Sequence, residues 1–127
     1  METQLDMAKE FMTQIKAQIH NHPTVPNAGI RNFRADLIRE EVQELLETIE
    51  YPTDLDKTAK ELADVLYVVY GTILSYGLQD KMAEIFEAVH DSNMLKKRRK
   101  DSANNDSKAI KDETYTKPDI QSIIESD

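Results

Sequence analysis

Two groups of acidic residues lie in otherwise apolar helical sequence, and their spacing is suited to binding metal ions. The first group reads Glu-Glu-Val-Gln-Glu and ends at Glu44, and the second reads Glu-Leu-Ala-Asp and begins at Glu61. Residues three apart share one face of an α-helix, with Cβ atoms roughly 5 to 6 Å apart. Glu41 therefore pairs with Glu44, and Glu61 pairs with Asp64. If the two pairs face each other across a helix hairpin, four carboxylates form a single nest.

A nest of four carboxylates indicates a bound divalent cation. Ionised carboxylates are costly to remove from water, and four like charges repel one another unless a cation lies between them. The sequence contains no cysteine and three histidines, and hard oxygen ligands select Mg²⁺, Mn²⁺ or Ca²⁺ over zinc. Mg²⁺ usually keeps coordination positions for water and for substrate phosphates. The acidic residues therefore predict metal-assisted chemistry on a phosphate compound.

The plainer interpretation of each acidic group is a solvated helix face, because glutamate is a good helix former and is usually exposed. The second group has a more unusual setting. From residue 62 to residue 74 the sequence is apolar nearly all round a helix, and Asp64 is the one charged residue in it. This pattern is typical of a helix buried on most of its circumference. An acid in that position favours a metal ligand or a hydrogen-bonded group over a surface residue.

Length and composition predict one soluble domain. A chain of 127 residues is long enough for a core, but it is near the size at which helical proteins often oligomerise. The absence of cysteine excludes disulfides and thiolate chemistry. The first residues do not resemble a signal peptide, and no apolar run approaches the ~20 residues of a membrane span. We therefore expect a cytoplasmic protein, in the host cytoplasm if its source is viral, with no membrane partner.

The net charge of −8 is unevenly distributed along the chain. Residues 1 to 95 contain 8 basic and 17 acidic side chains, whereas residues 96 to 117 contain 8 basic and 4 acidic ones. We call residues 96 to 117 the basic arm. An acidic body with one basic arm lacks the broad basic face that duplex nucleic acid requires, so no duplex partner is expected. The same distribution suits a small polyanion held between metal ions and a few cations.

Apolar residues at helical spacing predict four helices. The predicted ranges are about 2–20, from Asn32 or Phe33 to Tyr51, about 55–76, and about 80–97. Between the first two helices, two prolines and a glycine predict an irregular loop over residues 21–29. The predicted N-caps are Asn32 for the second helix and Thr53 or Asp54 for the third, and Gly77 is the predicted C-terminal stop of the third.

The second and third helices are joined by a very short connection, so they should pack antiparallel. Glu44 and Glu61 lie at similar distances from the turn, and the two acidic pairs can therefore face each other. Residues 98 to 127 are predicted to form a basic loop and tail of the same domain as the helical core in residues 1 to 97. The predicted core positions are Leu5, Ala8, Met12, Ile15 and Ile19 in the first helix and Phe33, Leu37, Ile38, Val42, Leu45, Leu46 and Ile49 in the second.

Four stretches of the sequence form an ordered set of motifs. The acidic groups read E-E-x-x-E and E-x-x-D, separated by 16 residues. The sequence from Arg34 to Glu44 reads R-x-x-L-I-x-E-E-x-x-E, and that from Val89 to Lys96 reads V-x-x-S-N-M-x-K. The tail resembles G-K-x-x-K…Y…P-P-D-I through Lys108, Lys111, Tyr115 and Pro118 to Ile120. Together these motifs resemble the signature of the MazG-like all-α nucleoside triphosphate pyrophosphohydrolases of the phage and mobile-element type.

The resemblance implies an all-α unit of four to five helices that forms homodimers, often homotetramers, with the site near the subunit interface. It implies metal-dependent cleavage of (deoxy)nucleoside triphosphates to monophosphate and pyrophosphate, with dNTPs preferred and a purine, dGTP, as the favoured substrate. By position, the ligands of Mg²⁺, or of Mn²⁺ in its place, would be Glu41, Glu44, Glu61 and Asp64. The implied catalytic residues are Glu40 and Glu41, where Glu40 binds a further ion or orients the attacking water. The implied triphosphate contacts are Asn93, Lys96, Lys108 and Lys111.

The chain departs from the family pattern at two tail positions. Ser107 stands where members commonly have glycine, and Lys117 stands where many have the first of two prolines. Both departures bear on the path of the tail and on its phosphate contacts. The residues that recognise the base are not readable from the motifs. The candidates for lining a base pocket are Phe11, Ile15, Ile19, Asn32 and Tyr67, of which Phe11, Ile15 and Ile19 are better explained as core.

Two other classes of protein provide alternatives. Glu87 and His90 form an E-x-x-H motif at di-iron spacing, but a carboxylate-bridged iron site needs a second such motif, which the sequence lacks. A non-enzymatic helical oligomer would instead bind nucleic acid or protein through the basic arm, and its nucleic-acid binding would be salt-sensitive and independent of Glu61. The enzyme interpretation predicts that Glu61→Ala or Asp64→Ala abolishes turnover with the fold retained.

Overall fold

The computed structural model describes residues 3–52, 54–96 and 109–127. Five helices form within these ranges and no strand does, which confirms the all-α prediction. The helices are α1 (Gln4–Gln14), α2 (Ala28–Glu50), α3 (Leu55–Ser75), α4 (Met82–Asn93) and α5 (Ile120–Glu125). None of the helices in the described part of the chain is long and apolar enough to cross a membrane.

The helices divide into two compact units. The first unit, residues 1–79, contains α1, α2 and α3, and the second unit, residues 80–127, contains α4 and α5. The grouping of residues 1–97 as a helical core, with residues 98–127 as a tail of the same domain, stays a prediction.

α1 begins with a capping box and ends earlier than the sequence pattern predicts. Thr3 Oγ1 accepts a hydrogen bond from Asp6 N at 3.2 Å, and Asp6 Oδ2 accepts one from Thr3 N at 3.4 Å. The prediction that this helix runs to about residue 20 is wrong, because Lys16 adopts the left-handed conformation with a φ of 59° and turns the chain. Ile15, at the end of the helix, is consequently 53% exposed instead of lying in the core.

α2 begins at Ala28, so the predicted start at Asn32 or Phe33 is wrong. Its N-cap is Asn27, whose Oδ1 accepts a hydrogen bond from Ile30 N at 3.0 Å. This side chain satisfies one of the backbone donors that a first helical turn leaves unpaired. The helix therefore starts inside the stretch predicted to be irregular, in spite of the glycine that it contains.

α3 ends at a glycine, as the sequence predicts. Gly77 has a φ of 66°, and a Cβ at this position would overlap the carbonyl oxygen of His22, so the position requires glycine. The loop that follows α1 therefore packs directly against the C-terminal end of α3. At the other end, Asp54 occupies the N-cap position without a side-chain hydrogen bond, and Thr53 lies outside the described residues.

α2 and α3 form the predicted antiparallel hairpin, and α1 packs against α3. Arg34, early in α2, donates a hydrogen bond to Thr72, late in α3. Glu44, late in α2, lies beside Glu61, early in α3. The direction follows from the short connection after Tyr51, the C-cap of α2, because a short loop leaves the next helix no other way to run.

The buried core of the first unit is small. Its buried apolar residues are Ala8, Met12 and Leu74, with Leu5, Ala17, Ile19 and Tyr70 packed against them. The prediction that α3 is buried on most of its circumference is wrong for the single chain, because α1 and α2 cover only part of its surface. The exposed apolar residues of α3 include Leu62, Leu66, Tyr67 and Val69, and those of the predicted α2 stripe are Phe33, Leu46 and Ile49.

In the second unit, α4 is shorter than predicted and is tied to the tail. The helix predicted over about 80–97 forms over Met82–Asn93 only. Leu95 N then bonds to Ser92 O, three residues back, at 3.1 Å, so the chain leaves the helix through a tighter turn. Ser92 Oγ donates to Thr116 O at 2.6 Å, which links the end of α4 to the segment that leads into α5.

Candidate active site

The antiparallel packing of α2 and α3 brings four carboxylates together. One oxygen from each of Glu41, Glu44, Glu61 and Asp64 lies within 4.8 Å of the others. Each helix supplies two residues spaced by three, so both side chains of a pair leave the same helix face. Within residues 3–52, 54–96 and 109–127, this is the one group of three or more potential metal ligands. We call these four residues the carboxylate cluster.

Two members of the carboxylate cluster hold buried oxygens that lack partners. Glu41 Oε2 and Glu61 Oε2 are buried and have no hydrogen-bond partner among the described residues. A buried acceptor that is left unpaired costs the full desolvation free energy of the group. A divalent cation would supply the missing partner, and an all-oxygen donor set suits Mg²⁺ or Mn²⁺. The residues therefore fit the predicted metal, and their role as its ligands stays a prediction.

Lys60 contacts two members of the carboxylate cluster. Its Nζ lies 2.6 Å from Asp64 Oδ2 and 3.8 Å from Glu61 Oε1. The hydrogen bond and the charge of Asp64 raise the pKa of Lys60. The lysine side chain is 68% exposed. Water therefore screens the attraction between Lys60 and the carboxylates, and the ion pair is weak. One screened lysine leaves the four carboxylates with a net negative charge.

Burial and mutual repulsion within the carboxylate cluster raise two carboxyl pKa values. Burial raises the pKa of Glu41, and the charges of Glu44, Asp64 and Glu61 raise it further. Burial also raises the pKa of Glu61, an effect that Lys60 opposes and Glu44 reinforces. Raised pKa values mean that the ionised carboxylates are less stable in the folded protein than in water. A cation held between them would offset that instability.

Glu40, the other predicted catalytic residue, lies outside the carboxylate cluster. It is exposed on α2, and its neighbour Glu41 points about 100° away from it around the helix. Glu40 shares a helix face with Glu44, four residues later. It therefore borders the cluster on the solvent side, where its predicted action on an attacking water stays a prediction.

Residues 8–93 match the sequence model of a family described as phosphoribosyl-ATP pyrophosphohydrolase. The match covers more than half of the chain and includes every member of the carboxylate cluster. The chain belongs to the phosphoribosyl-ATP pyrophosphohydrolase family. This family is part of the MazG-like all-α superfamily, so the resemblance is confirmed at that level, while the phage or mobile-element type stays a prediction.

Membership of the phosphoribosyl-ATP pyrophosphohydrolase family supports a pyrophosphohydrolase that acts on a nucleotide substrate. The match ends at residue 93, so the predicted phosphate contacts of the tail lie beyond it. A comparison with curated proteins found no match to the chain.

Two of the triphosphate contacts predicted for this member of the phosphoribosyl-ATP pyrophosphohydrolase family lie over one tyrosine ring. Lys111 Nζ lies 4.9 Å from the ring centroid of Tyr115, and Lys96 Nζ lies 5.9 Å from it. These distances are typical of cation–π contacts. Of the other two predicted contacts, Asn93 is exposed at the end of α4 and Lys108 lies outside the described residues. Lys96 N also donates a hydrogen bond to Asn93 O at 3.0 Å, so the three described residues of the four lie together, and their contact with phosphate stays a prediction.

Arg34 is a functional candidate whose role the R-x-x-L-I-x-E-E-x-x-E motif does not indicate. The residue is only 7% exposed, although it is charged. Its Nε donates to Thr72 Oγ1 at 3.2 Å, and its Nη2 donates to Val68 O at 2.9 Å. The signal in the sequence was Gly71, a glycine among the larger apolar residues of α3. A Cβ at Gly71 would overlap Arg34 Nη2, so the glycine makes room for the guanidinium.

The residues considered for a base pocket divide into two groups. Phe11, Ile15 and Tyr67 line a cavity between α1, α2 and α3, and the rings of Phe11 and Tyr67 meet edge to face at 5.8 Å. Phe11 and Ile15 are 44% and 53% exposed in the single chain, so the assignment of these two residues to the core is wrong. Ile19 packs against the core as expected. Asn32 is exposed and is not among the residues that line this cavity.

The alternative iron motif is not part of any metal-binding group in the described structure. Glu87 and His90 are exposed on α4, and they belong to no set of three potential ligands among the described residues. A di-iron site requires carboxylates and histidines from several helices that converge on one point. The arrangement seen here favours the all-oxygen chemistry of the carboxylate cluster.

Proposed function

We propose that this protein hydrolyses (deoxy)nucleoside triphosphates to monophosphate and pyrophosphate in a reaction that depends on a divalent metal ion. The observation that supports the proposal most directly is the carboxylate cluster, which converges from two helices with two buried oxygens unpartnered. The chain also belongs to the phosphoribosyl-ATP pyrophosphohydrolase family, which supports a nucleotide as the substrate of the metal-dependent hydrolysis. The preferred substrates in this proposal are dNTPs, with dGTP favoured, and the protein acts in the cytoplasm.

In this proposal the carboxylate cluster holds Mg²⁺, or Mn²⁺ in its place. The ligands are Glu41, Glu44, Glu61 and Asp64, each of which offers one oxygen within 4.8 Å of those of the others. When bound, the metal neutralises charge on the phosphates and lowers the pKa of a coordinated water. Lys60 must release Asp64 Oδ2 to free that oxygen, and its high exposure makes this release easy.

The reaction breaks the bridge between the α- and β-phosphorus atoms. The oxygen of a water molecule forms a bond to one of these two phosphorus atoms as the bond from that phosphorus to the bridging oxygen breaks. The electron pair of the broken bond stays on the bridging oxygen, which leaves with the other phosphoryl group. Glu40 and Glu41 orient the water, and Glu40 accepts one of its protons from the solvent side. The products are a nucleoside monophosphate and pyrophosphate.

The basic arm supplies cations to the phosphate oxygens in this proposal. Lys96 and Lys111, which share the ring of Tyr115, contact the triphosphate together with Asn93 and Lys108. Lysine binds phosphate as a point charge, so the contact does not depend on one hydrogen-bond angle. This use of the arm explains its basic character in a chain that is otherwise acidic.

The active form in this proposal is a homodimer or homotetramer. The apolar side chains of α3 that remain exposed in the single chain, among them Leu62 and Leu66 at 49% and 53%, support an assembled state. Exposed apolar surface of this kind is stabilised by burial at about 25 cal/mol per Å². An assembly that covers the face of α3 with Leu62 and Leu66 would also bring the helix closer to the sequence pattern of burial on most of its circumference.

A second candidate substrate is phosphoribosyl-ATP, which the name of the matched family favours. Both candidates release pyrophosphate, so the reaction class is the same and the substrate panel must separate them. Pyrophosphate release is measured with the eight common NTPs and dNTPs and with phosphoribosyl-ATP, in the presence of Mg²⁺, Mn²⁺ or EDTA. We expect release with either metal and none with EDTA, with dGTP giving the highest kcat/KM.

Variants of the carboxylate cluster test the assignment of the site. Glu61→Gln and Asp64→Asn should lower kcat by about 100-fold or more, because bound metal contributes several kcal/mol to such reactions. Glu87→Gln, an exposed change on α4, is the matched control and should retain activity. If folded protein cleaves no substrate with either metal, the proposal is wrong. Salt-sensitive nucleic-acid binding that Glu61→Gln leaves unchanged would then support the non-enzymatic alternative.

A further inference from the structure

The cavity between α1, α2 and α3 combines apolar walls with one charged group. It has a volume of about 290 Å³, and its walls include Phe11, Met12, Phe33 and Tyr67. The charged group is Arg34, which lines the cavity and is 7% exposed. We call this space the helix cavity. A mostly apolar pocket with a single fixed polar group is typical of a site for a small organic ligand.

The guanidinium of Arg34 has more donors than the described residues use. Two of its five N–H groups are engaged, one on Nε with Thr72 Oγ1 and one on Nη2 with Val68 O. The ion pairs in the described part of the chain involve Arg39 and Lys60, so Arg34 has no carboxylate partner there. Arginine is rarely buried without such a partner. The remaining N–H groups of Arg34 can therefore donate hydrogen bonds to acceptor atoms of a ligand.

The walls of the helix cavity present aromatic rings beside this guanidinium. The rings of Phe11 and Tyr67 meet edge to face at 5.8 Å, and the ring of Phe33 lies 5.9 Å from Arg34 Cζ. Phe11 and Tyr67 remain 44% and 43% exposed, so their surfaces are available for stacking. A flat ligand with a π-face and acceptor atoms on its edge matches both features, and nucleobases have that form.

The helix cavity lies on the same side of the hairpin as the carboxylate cluster. Arg34 precedes Glu41 by seven residues, and Gly71 follows Asp64 by seven. Seven residues are close to two helical turns, so each pair shares a helix face and lies about 10.5 Å apart along the axis. A nucleotide with its phosphates at the cluster can therefore extend its sugar and base along this face into the cavity.

We infer that the helix cavity binds the base of the substrate and that Arg34 selects guanine through its O6 and N7 atoms, an inference that rests on the proposed function. Guanine presents these two acceptors side by side, and arginine pairs with them through two parallel hydrogen bonds. Adenine presents an amino group in place of O6, so a donor would face the donors of Arg34. Arg34 is thus a specificity-determining residue.

The unaltered protein tests this inference with four substrates in Mg²⁺. The kcat/KM for dGTP and dITP should be similar, because both bases keep O6 and N7. Values for 7-deaza-dGTP, which lacks N7, and for dATP, which lacks O6, should be lower by about 5- to 150-fold, the discrimination that a bidentate pair gives. Equal values for all four substrates would overturn the inference and leave the pyrophosphohydrolase proposal standing.

Binding measurements separate the inference from the reaction. Calorimetry with the α,β-methylene analogues of dGTP and dATP, which cannot be cleaved at the bridge, should show tighter binding of the guanine analogue. Discriminating binding without pyrophosphate release from any nucleotide would support the base site and overturn the proposed reaction. Equal binding of the two analogues, or binding of neither, would overturn the base site.

The variant Arg34→Lys keeps the positive charge and removes the fork that pairs with guanine. It should lower kcat/KM for dGTP much more than for dATP, so the ratio between them should fall towards one. Arg39→Lys is the matched control, because Arg39 is exposed and paired with Asp36, and it should leave the ratio unchanged. An equal loss for both substrates would mean that Arg34 only braces α2 against α3. If Arg34→Lys does not fold, the substrate series with the unaltered protein decides.

Discussion

Gly71 on α3 leaves the space that the guanidinium of Arg34 on α2 occupies. A Cβ built at Gly71 would overlap Arg34 Nη2, the nitrogen that donates to Val68 O at 2.9 Å. The absence of a side chain at Gly71 thus leaves room for the buried charge of Arg34. The hydrogen bond from Arg34 to Val68 O links the two helices of the hairpin.

Gly71→Ala should destabilise the protein, although alanine is the better helix former. The gain in helix propensity is about 1 kcal/mol, but the methyl group displaces Arg34, whose buried charged hydrogen bonds contribute about 1.5 to 3 kcal/mol each. We expect the free energy of unfolding to fall by about 1 to 3 kcal/mol, measured by urea denaturation.

Gly29→Ala is the control for this substitution, because Gly29 is exposed in the first turn of α2. A Cβ there would meet only the side chain of Asn27, at 3.3 Å. We expect a change within about 0.5 kcal/mol. A stable Gly71→Ala variant would show that Arg34 does not need the space that Gly71 leaves.

Mg²⁺ should stabilise the folded protein against heat. The buried oxygens of Glu41 and Glu61 that lack partners would gain a cation, and binding to the folded state alone contributes about 2.7 kcal/mol when free metal exceeds the Kd by about 100-fold. The measurement is the Tm in EDTA and in increasing Mg²⁺. Glu61→Gln should remove most of the shift, whereas Glu87→Gln should retain it. An identical shift in all three proteins would place the metal elsewhere.

The stability of the protein in EDTA should depend on pH through the carboxylate cluster. The folded state raises the pKa of Glu41 and Glu61 above the ordinary value of 4.5, so it binds these protons more tightly than the unfolded state does. Their contribution is therefore most favourable at or below about pH 4.5 and is lost as the pH rises through the folded pKa.

Glu61→Gln isolates this effect from the titration of other groups, because glutamine does not ionise. The free energy of unfolding of the variant, relative to that of the unaltered protein, should increase between about pH 4.5 and pH 7. Both proteins are measured by urea denaturation in EDTA. A difference that stays constant over this range would show that Glu61 titrates as a solvated carboxyl group.

The N-cap of α2 can be tested with a pair of asparagine substitutions. Asn27→Ala removes the acceptor for Ile30 N and should lower the free energy of unfolding by about 0.5 to 2 kcal/mol. Asn32→Ala, inside the helix at an exposed position, should be neutral or slightly stabilising, because alanine has the higher helix propensity. Thermal denaturation of both variants is sufficient. The reverse order would place the helix start at Asn32.

Local sequence pattern was sufficient for the helix hairpin and for the acidic pairs on it. The spacing of three between Glu41 and Glu44, and between Glu61 and Asp64, fixes which side chains share a helix face. The short connection after Tyr51 fixes the direction of α3. Both constraints act over a few residues, so they are present in the sequence before any tertiary contact forms.

The helix ends were less predictable, because a single backbone angle or a single capping side chain set them. Lys16 stops α1 with a left-handed backbone conformation, which residues other than glycine seldom adopt. Periodicity continued through Ile15 and Ile19 and therefore suggested a longer helix. Asn27 starts α2 in a proline- and glycine-containing stretch, where composition alone predicts a loop.

The sequence by itself determined that α2 and α3 would form an antiparallel hairpin and that Glu41, Glu44, Glu61 and Asp64 would meet on it, since helical periodicity and a short loop are local properties. The tertiary structure alone decided that a helix with a nearly continuous apolar sequence would keep Leu62 and Leu66 exposed in the single chain. It also decided that Arg34 would be buried beside a cavity, with N–H groups that the described residues do not engage. Burial depends on what packs against a residue, and helical periodicity does not specify that neighbour.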